Sequence, residues 1–521
     1  MTAISIGYFV GVVLITLLIT LWAARNSHGR ASFYAASSQI SGWQNGFAIA
    51  GDYLSAGTVL GAVGLYSIVG VDLALYLATP IAGLCLMMVL IVSPLRRLGR
   101  YTLGDVLGAK LPDPRTRLAV AVCSVSISLV YLVAQLVGAG ALISIVFDLK
   151  FATAAIAVGL LMTAYVAFGG MLAATWVQIV KCALLLTAVL FIAVLSTLKA
   201  GGLPALYEKA ALVNPAGAGL FVFGGQKMGV FSALSLSVGM IAGTMGLPHL
   251  LIRFFTVRNE AVARRSLVIA TVLIGVAMSA VMLILGPAAL AFVARQPLFH
   301  TAAGALIGGS NMMTLHLGRA LGGDVLFGVM SAVAFSTILA VVAGLNITIS
   351  STVAHDVFGL LRRGAPLSEK TELKVFRLSA FATAAVAVSA AILLQNQNIT
   401  FLIVMGTSLA ASTTFPLLIM AIYWKRLTVA GVMACAAVGL LSTVLLVVLS
   451  PSCWVKVLGH ASAVFPSDYP ALIALPVTLA ITWIVSTVTR QRDSVGKGIQ
   501  SLSQERIAGM EGAIHHDDCR V

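Results

Sequence analysis

The stretch Asn45-Gly46-Phe47-Ala48-Ile49-Ala50-Gly51-Asp52-Tyr53-Leu54-Ser55-Ala56-Gly57-Thr58 decides how the chain is read. It lies in an apolar run over 44–67, and about 20 mostly apolar residues suffice to cross a bilayer as a helix. Yet a carboxylate sits near its middle, flanked by the poor helix formers Gly51, Ser55 and Gly57. An ionisable group at that depth is expensive, so Asp52 is a functional candidate. The glycines predict that the helix unwinds there, baring carbonyl oxygens for a cation and amides for an anion. A buried Asp held by a neighbouring helix for packing alone is the plainer alternative.

A second interrupted run, 229–252, contains Ser237-Val238-Gly239-Met240-Ile241-Ala242-Gly243-Thr244-Met245-Gly246-Leu247-Pro248-His249. Proline removes a backbone donor and clashes with the preceding turn. A kinked helix packing closely through its glycines would also explain the pattern. His249 follows the break, placed either to titrate beside a carboxylate or to cap the broken helix.

The remaining apolar runs fall at 4–24, 73–93, 118–147, 151–168, 174–198, 266–294, 325–349, 374–394, 399–422, 428–449 and 469–489, which makes thirteen candidate spans. The second and seventh are the interrupted ones. Their separation by five fits two inverted five-helix repeats, where paired broken helices mark a transporter's binding site. The predicted organisation is a first span and inner loop (1–43), a first repeat (44–198), an outer loop (199–228), a second repeat (229–422), two peripheral spans (423–489) and a polar, disordered cytoplasmic tail (490–521).

Composition agrees. Of 521 residues, 60% are hydrophobic and 9% charged, with mean hydropathy +1.04. Soluble domains carry about 25% charged residues. The runs are too long for barrel strands of ~10 residues, and lipid demands internally paired backbone. An all-α polytopic membrane protein remains.

The net charge of +15 is explained by topology. With the N-terminus outside and the C-terminus cytoplasmic, 25 of the 32 basic residues fall inside and 7 outside, as the positive-inside rule requires. Lys181 and Arg253 are counted with the inner set, and no Arg or Lys is placed mid-membrane. No nucleic-acid partner is needed; the partners expected are the lipid bilayer, a small solute and a coupling cation. The N-terminal run has no basic leader and continues to Arg25, so it reads as a retained span. Cys85, Cys123, Cys182 and Cys435 lie in apolar runs and read as small core residues; Cys453 and Cys519 complete the set, without a CxxC pair. His515-His516-Asp517-Asp518-Cys519 reads as solvated tail. Gln135 is the strongly polar residue deep in the fourth span, poised for substrate or for an interhelical hydrogen bond. No nucleophile–base pair or phosphate loop is visible, so the chain is not read as an enzyme, and no cofactor is expected.

Several motifs together resemble the sodium:solute symporter family: Asn45 to Gly61, Leu95-Arg96-Arg97-Leu98-Gly99-Arg100-Tyr101-Thr102, Tyr165-Val166-Ala167-Phe168-Gly169-Gly170-Met171-Leu172-Ala173, Thr175-Trp176-Val177-Gln178, Gly246-Leu247-Pro248-His249 and Arg253-Phe254-Phe255-Thr256-Val257. The likeness runs from about residue 33 to 430 and is closest to the cation/acetate symporter branch. It implies a LeuT-type core of ten helices and uptake of a short monocarboxylate such as acetate, propionate or pyruvate with Na+ or H+. It also implies a substrate-facing Thr58; Tyr53, Ser55, Gln135, Gly243, Thr244, Met245 and His249 are the further candidates for substrate contact. An amino-acid, vitamin or other small-solute symporter is the alternative; a channel or a sensor module fits less well. The family's sodium ligands map to the carbonyls of Gly51, Leu54 and Ala340 and to two adjacent hydroxyls. At the hydroxyl positions this chain has Ala343 and Gly344. Thr337, one turn earlier, is the nearest replacement.

Each lost contact to an ion is worth ~1.5–3 kcal/mol, so losing two weakens sodium by about two to four decades. Asp52 is then the acid expected to carry a proton. A carboxylate substrate is expected at half-helix N-termini.

The orientation is tested by topology reporters. One fused after Thr489 is expected in the cytoplasm and one before Ile4 outside; both on one side would remove a span.

Overall fold

The computed structural model describes residues 6–11, 14, 15, 18, 40–55, 57–98, 102–214, 217–224, 228–358, 369–455 and 457–490. Most of the 4–24 run and the tail after Arg490, with its His/Asp cluster, lie outside the described residues. Among them the secondary structure is helical, with two isolated β-bridges.

Helix α1 (Gly42–Tyr53) starts at a reciprocal cap. Ser41 Oγ accepts from the Gln44 amide at 3.3 Å, and Gln44 Oε1 accepts from the Ser41 amide at 2.9 Å. The helix stops where the glycine and serine pattern predicts. Leu54 is extended (φ −72°, ψ 91°), and winding resumes at Gly57 in a wide turn leading into α2 (Ala62–Val69). Helices α3 (Pro114–Phe147) and α4 (Phe151–Ala200) follow. The second interrupted run is α5 (Val230–Gly246) and α6 (Pro248–Leu251), bent by 40° about the extended Leu247. Pro248 takes the first position of the new helix, where its missing N–H costs nothing. Then come α7 (Glu260–Ala280), α8 (Met313–Thr352), α9 (Glu369–Leu393) and α10 (Ile399–Ser412).

Among the described residues, nine helices are long and apolar enough to cross a membrane, or ten if the bent pair is one span. The sequence reading gave thirteen. Of those, 4–24 is mostly undescribed, 44–67 is interrupted at Leu54, and 151–168 corresponds to a shorter apolar helix, Phe151–Ala164. α8 begins well before the predicted 325–349 and breaks at Gly322–Gly323, where Gly323 has φ +62° and only glycine is unstrained.

Helices approach closely where a side chain is lacking. A Cβ on Gly243 would lie 2.2 Å from the Thr407 carbonyl oxygen of α10, and one on Gly51 would lie 2.6 Å from the Gln178 carbonyl oxygen of α4. Small residues do this packing in membranes because burial of apolar area gives no drive there. Cys123, Cys182 and Cys435 are buried as read, but Cys85 is exposed. At the far end of α8, Thr102 donates to Asp356 at 3.1 Å, while His355 sits 3.4 Å from Asp105 and 3.7 Å from Glu372. That cluster ties α8 to α9 and to the Leu103–Lys110 helix.

Gly243→Ala forces α5 and α10 apart. It is expected to destabilise by ~1–3 kcal/mol, read as a lower melting temperature in detergent; an unchanged transition would mean the gap is wider than described.

Candidate functional site

The break in α1 places Asp52 one residue before the helix end, with its side chain 5% exposed. Three segments converge on it. Arg253, in the tight turn following α6, donates Nε to Asp52 Oδ2 at 2.5 Å and Nη2 to Oδ1 at 3.2 Å. Its Nη1 donates to Thr175 Oγ1 of α4 at 2.8 Å. Gln178 of α4 donates Nε2 to Asp52 Oδ1 at 2.6 Å. One turn on, Lys181 Nζ donates to the Gly51 carbonyl and to Gln178 Oε1, the latter at 3.0 Å. Lys181 is 1% exposed and the Arg253 side chain 2%.

These bonds overturn part of the sequence reading. Lys181 and Arg253, counted with the inner loops, are buried against Asp52, so two cations do lie in the interior. Without these two, the split expected from sequence becomes 23 inside to 7 outside. The reason for the error is physical: long basic side chains beside a span end can reach outward or inward, and residue spacing does not say which. Lys181 carries the clearer sequence mark, since it stands inside the 174–198 run as Asp52 stands inside 44–67. Asp52 is also no free acid. A bidentate guanidinium and an amide occupy its oxygens.

Beside Asp52 lies a cavity of about 450 Å³, counting its mouth. Of the candidates, Asp52, Tyr53, Ser55, Thr58 and His249 line it. So do Tyr76, Tyr131, Met240 and Thr400, which the sequence reading did not single out. The His249 ring packs on Tyr131 with centroids 5.2 Å apart, and its Nδ1 has no partner among the described residues. The Ser55 amide, a donor an anion would use, is taken by Thr58 Oγ1 at 2.7 Å, and that hydroxyl donates back to the Ser55 carbonyl at 2.8 Å.

The other candidates sit apart from the lining. Gly243 serves helix packing, and Thr244 and Met245 are buried in the same helix. Gln135 is fully buried, and its amide has no partner among the described residues. Of the cation candidates, Gly51 and Leu54 flank Asp52, and Ala340 and Ala343 are buried on α8. A Cβ on Gly344 would lie 3.5 Å from Asp52 Oδ1 and 3.8 Å from Gln178 Nε2, so this position faces the cluster. The Thr337 hydroxyl is buried without a partner among the described residues.

Two broken helices meeting at a buried charge cluster and a small cavity, within an all-helical membrane bundle, define a secondary transporter. The chain belongs to the sodium:solute symporter family, whose model matches residues 33–439. It is a multi-pass membrane solute symporter. Its fold is similar to that of a Na+-coupled sialic acid symporter solved substrate-bound and outward-open (TM-score 0.76, 15% identity, covering 94% of this chain and 98% of that one). It is also similar to Mhp1, a nucleobase-cation-symport-1 family transporter (TM-score 0.52, 12% identity, 88% and 95% covered). A mutant of the Eremococcus coleocola manganese transporter matches at TM-score 0.50, with 14% identity over 89% and 97% of the chains. These likenesses establish the LeuT-type all-α fold.

Asp52→Asn strips Arg253 of its carboxylate. Breaking a buried pair by removing one partner costs ~3–5 kcal/mol. A marked fall in detergent melting temperature is expected, partly restored in the Asp52→Asn/Arg253→Gln double variant; a single variant as stable as wild type would show that the pair is not buried as described.

Proposed function

We propose that this protein takes up a short monocarboxylate such as acetate, propionate or pyruvate by cation-coupled symport. The observation that carries the reading is the charge balance beside the cavity. Asp52 is opposed by two cations, Arg253 and Lys181. With all three ionised the cluster bears one net positive charge. A monoanion entering the cavity would neutralise it, and charge is costly to leave unbalanced in an apolar interior. Arg253 is bound bidentately to Asp52, so the substrate senses the excess charge rather than a guanidinium clamp.

The cavity walls favour a small solute. Tyr53, Tyr76, Tyr131, Met240, Leu247, Ile403 and Val404 supply bulk, and Ser55, Thr58, Thr400 and His249 supply hydrogen-bonding groups. Small hydrophobic sites with few convergent polar groups suit small organic ligands. Alternating access would expose this cavity to each side in turn by rocking one group of helices on another. In the orientation with the N-terminus outside, transport runs into the cell across the cell membrane.

Proteoliposomes given labelled acetate, propionate, pyruvate and proline test the substrate class. The three acids are expected to accumulate and compete with one another, with saturable counterflow, while proline does neither. Saturable proline transport with no response to any acid would overturn the reading.

A further inference from the structure

Away from the cavity, the polar cluster at the far end of α8 has no part in the transport reading. His355 and Asp356 follow α8 in a wide turn, Val353–Val357. Wide turns of this kind are often found at functional sites. Asp105 stands in the first turn of the Leu103–Lys110 helix, and Glu372 lies on α9. One ligating atom each from Asp105, His355 and Asp356 lies within 4.8 Å of the others.

We propose that Asp105, His355 and Asp356 bind a divalent metal ion of the zinc class, with Glu372 orienting the imidazole. The site rests on the fold alone and stands whatever solute the cavity takes.

The spacing favours coordination over direct hydrogen bonding. His355 Nε2 and Asp105 Oδ1 are 3.4 Å apart. That is long for a charge-assisted hydrogen bond, which prefers about 2.7–2.9 Å. Bonds of about 2.0–2.2 Å to one zinc ion set tetrahedral ligands roughly 3.4 Å apart. The second imidazole nitrogen, Nδ1, faces Glu372 Oε1 at 3.7 Å. A metal-bound histidine almost always turns its other nitrogen to a carboxylate, a carbonyl or water, which fixes the ring and its tautomer. Thr102 orients both aspartates. Its hydroxyl donates to Asp356 Oδ1 at 3.1 Å, and its amide donates to Asp105 Oδ2 at 3.2 Å. Ligating carboxylates are held by hydrogen bonds of this kind.

Asp356 Oδ2 is the atom that calls for a ligand. Asp356 is 1% exposed, and this oxygen has no hydrogen-bond partner among the described residues. Leaving a buried carboxylate oxygen without a donor or a cation is costly. Gly104 brings the Leu103–Lys110 helix up against it; a Cβ there would lie 2.9 Å from the carboxylate. Among the described residues no Lys or Arg pairs with Asp356. Arg117 goes instead to Asp105 Oδ1, at 3.6 Å. With the imidazole neutral, the carboxylates of Asp105, Asp356 and Glu372 face one guanidinium. Their surplus of negative charge matches a divalent cation.

The test uses the purified full-length chain, stripped of metal with a chelator. It carries H515A/H516A/C519A, so that the tail cannot compete. Zinc is expected to bind saturably, one ion per chain, and to raise the melting temperature. Co2+ in its place is expected to give the intense visible absorption of a tetrahedral site, which an ion-pair network cannot produce. Asp356→Asn keeps the shape but removes the charge, and His355→Phe keeps the bulk but removes the nitrogen. Each is expected to weaken zinc at least tenfold and to lose the cobalt absorption. Glu372→Gln is expected to weaken zinc about tenfold and to keep that absorption. Melting without metal separates a lost ligand from a lost fold, and if one variant does not fold, the other and the cobalt spectrum still decide. Three results overturn the proposal: no saturable zinc binding, no tetrahedral cobalt absorption, or an affinity that neither Asp356→Asn nor His355→Phe changes. The cluster would then be an ion-pair network that joins three helices and nothing more.

Discussion

Asp52 is a carboxylate buried in a membrane protein, and much of the site's arrangement follows from the need to compensate it. A bare ion in so apolar a setting costs several kcal/mol even after relaxation. The compensation comes from segments far apart in the chain: Arg253 beyond the second helix break, and Gln178 with Thr175 from the long α4. The ion pair thus bolts both broken helices to one another and to α4. Any rearrangement that separates Asp52 from Arg253 uncovers two charges at once. Motions that carry the pair as a unit cost far less, which directs bending to the Leu54–Gly57 break and the extended Leu247 rather than to the cluster.

The glycines fit this account. Gly51 lets α1 lie so close to α4 that Gln178 and Lys181 reach around its end, and Gly344 leaves room on the α8 side. A Cβ at Gly51 would clash with Gln178, 2.6 Å from its carbonyl oxygen and 2.9 Å from its Oε1, whereas one at Gly344 would lie in ordinary contact with Asp52 Oδ1 at 3.5 Å. Conformational freedom matters less here than the absent Cβ.

What could be read from sequence divides along physical lines. The two helix breaks were legible because glycine and proline act locally, and Asp52 was legible because a charge in an apolar run violates a strong rule. Their partners were less so. Arg253 lies one helical turn past His249, where a side chain of its length can snorkel outward or fold inward, and only the tertiary fold chooses. Lys181 breaks the same rule as Asp52, but its place near a span end lets it pass for an inner-loop charge. Tyr131 and Met240 entered the cavity unnoticed, because aromatic and apolar residues on buried helices carry no sequence mark of the face they present. Gln135 shows the converse: its polarity drew attention, yet it lies outside the cavity lining.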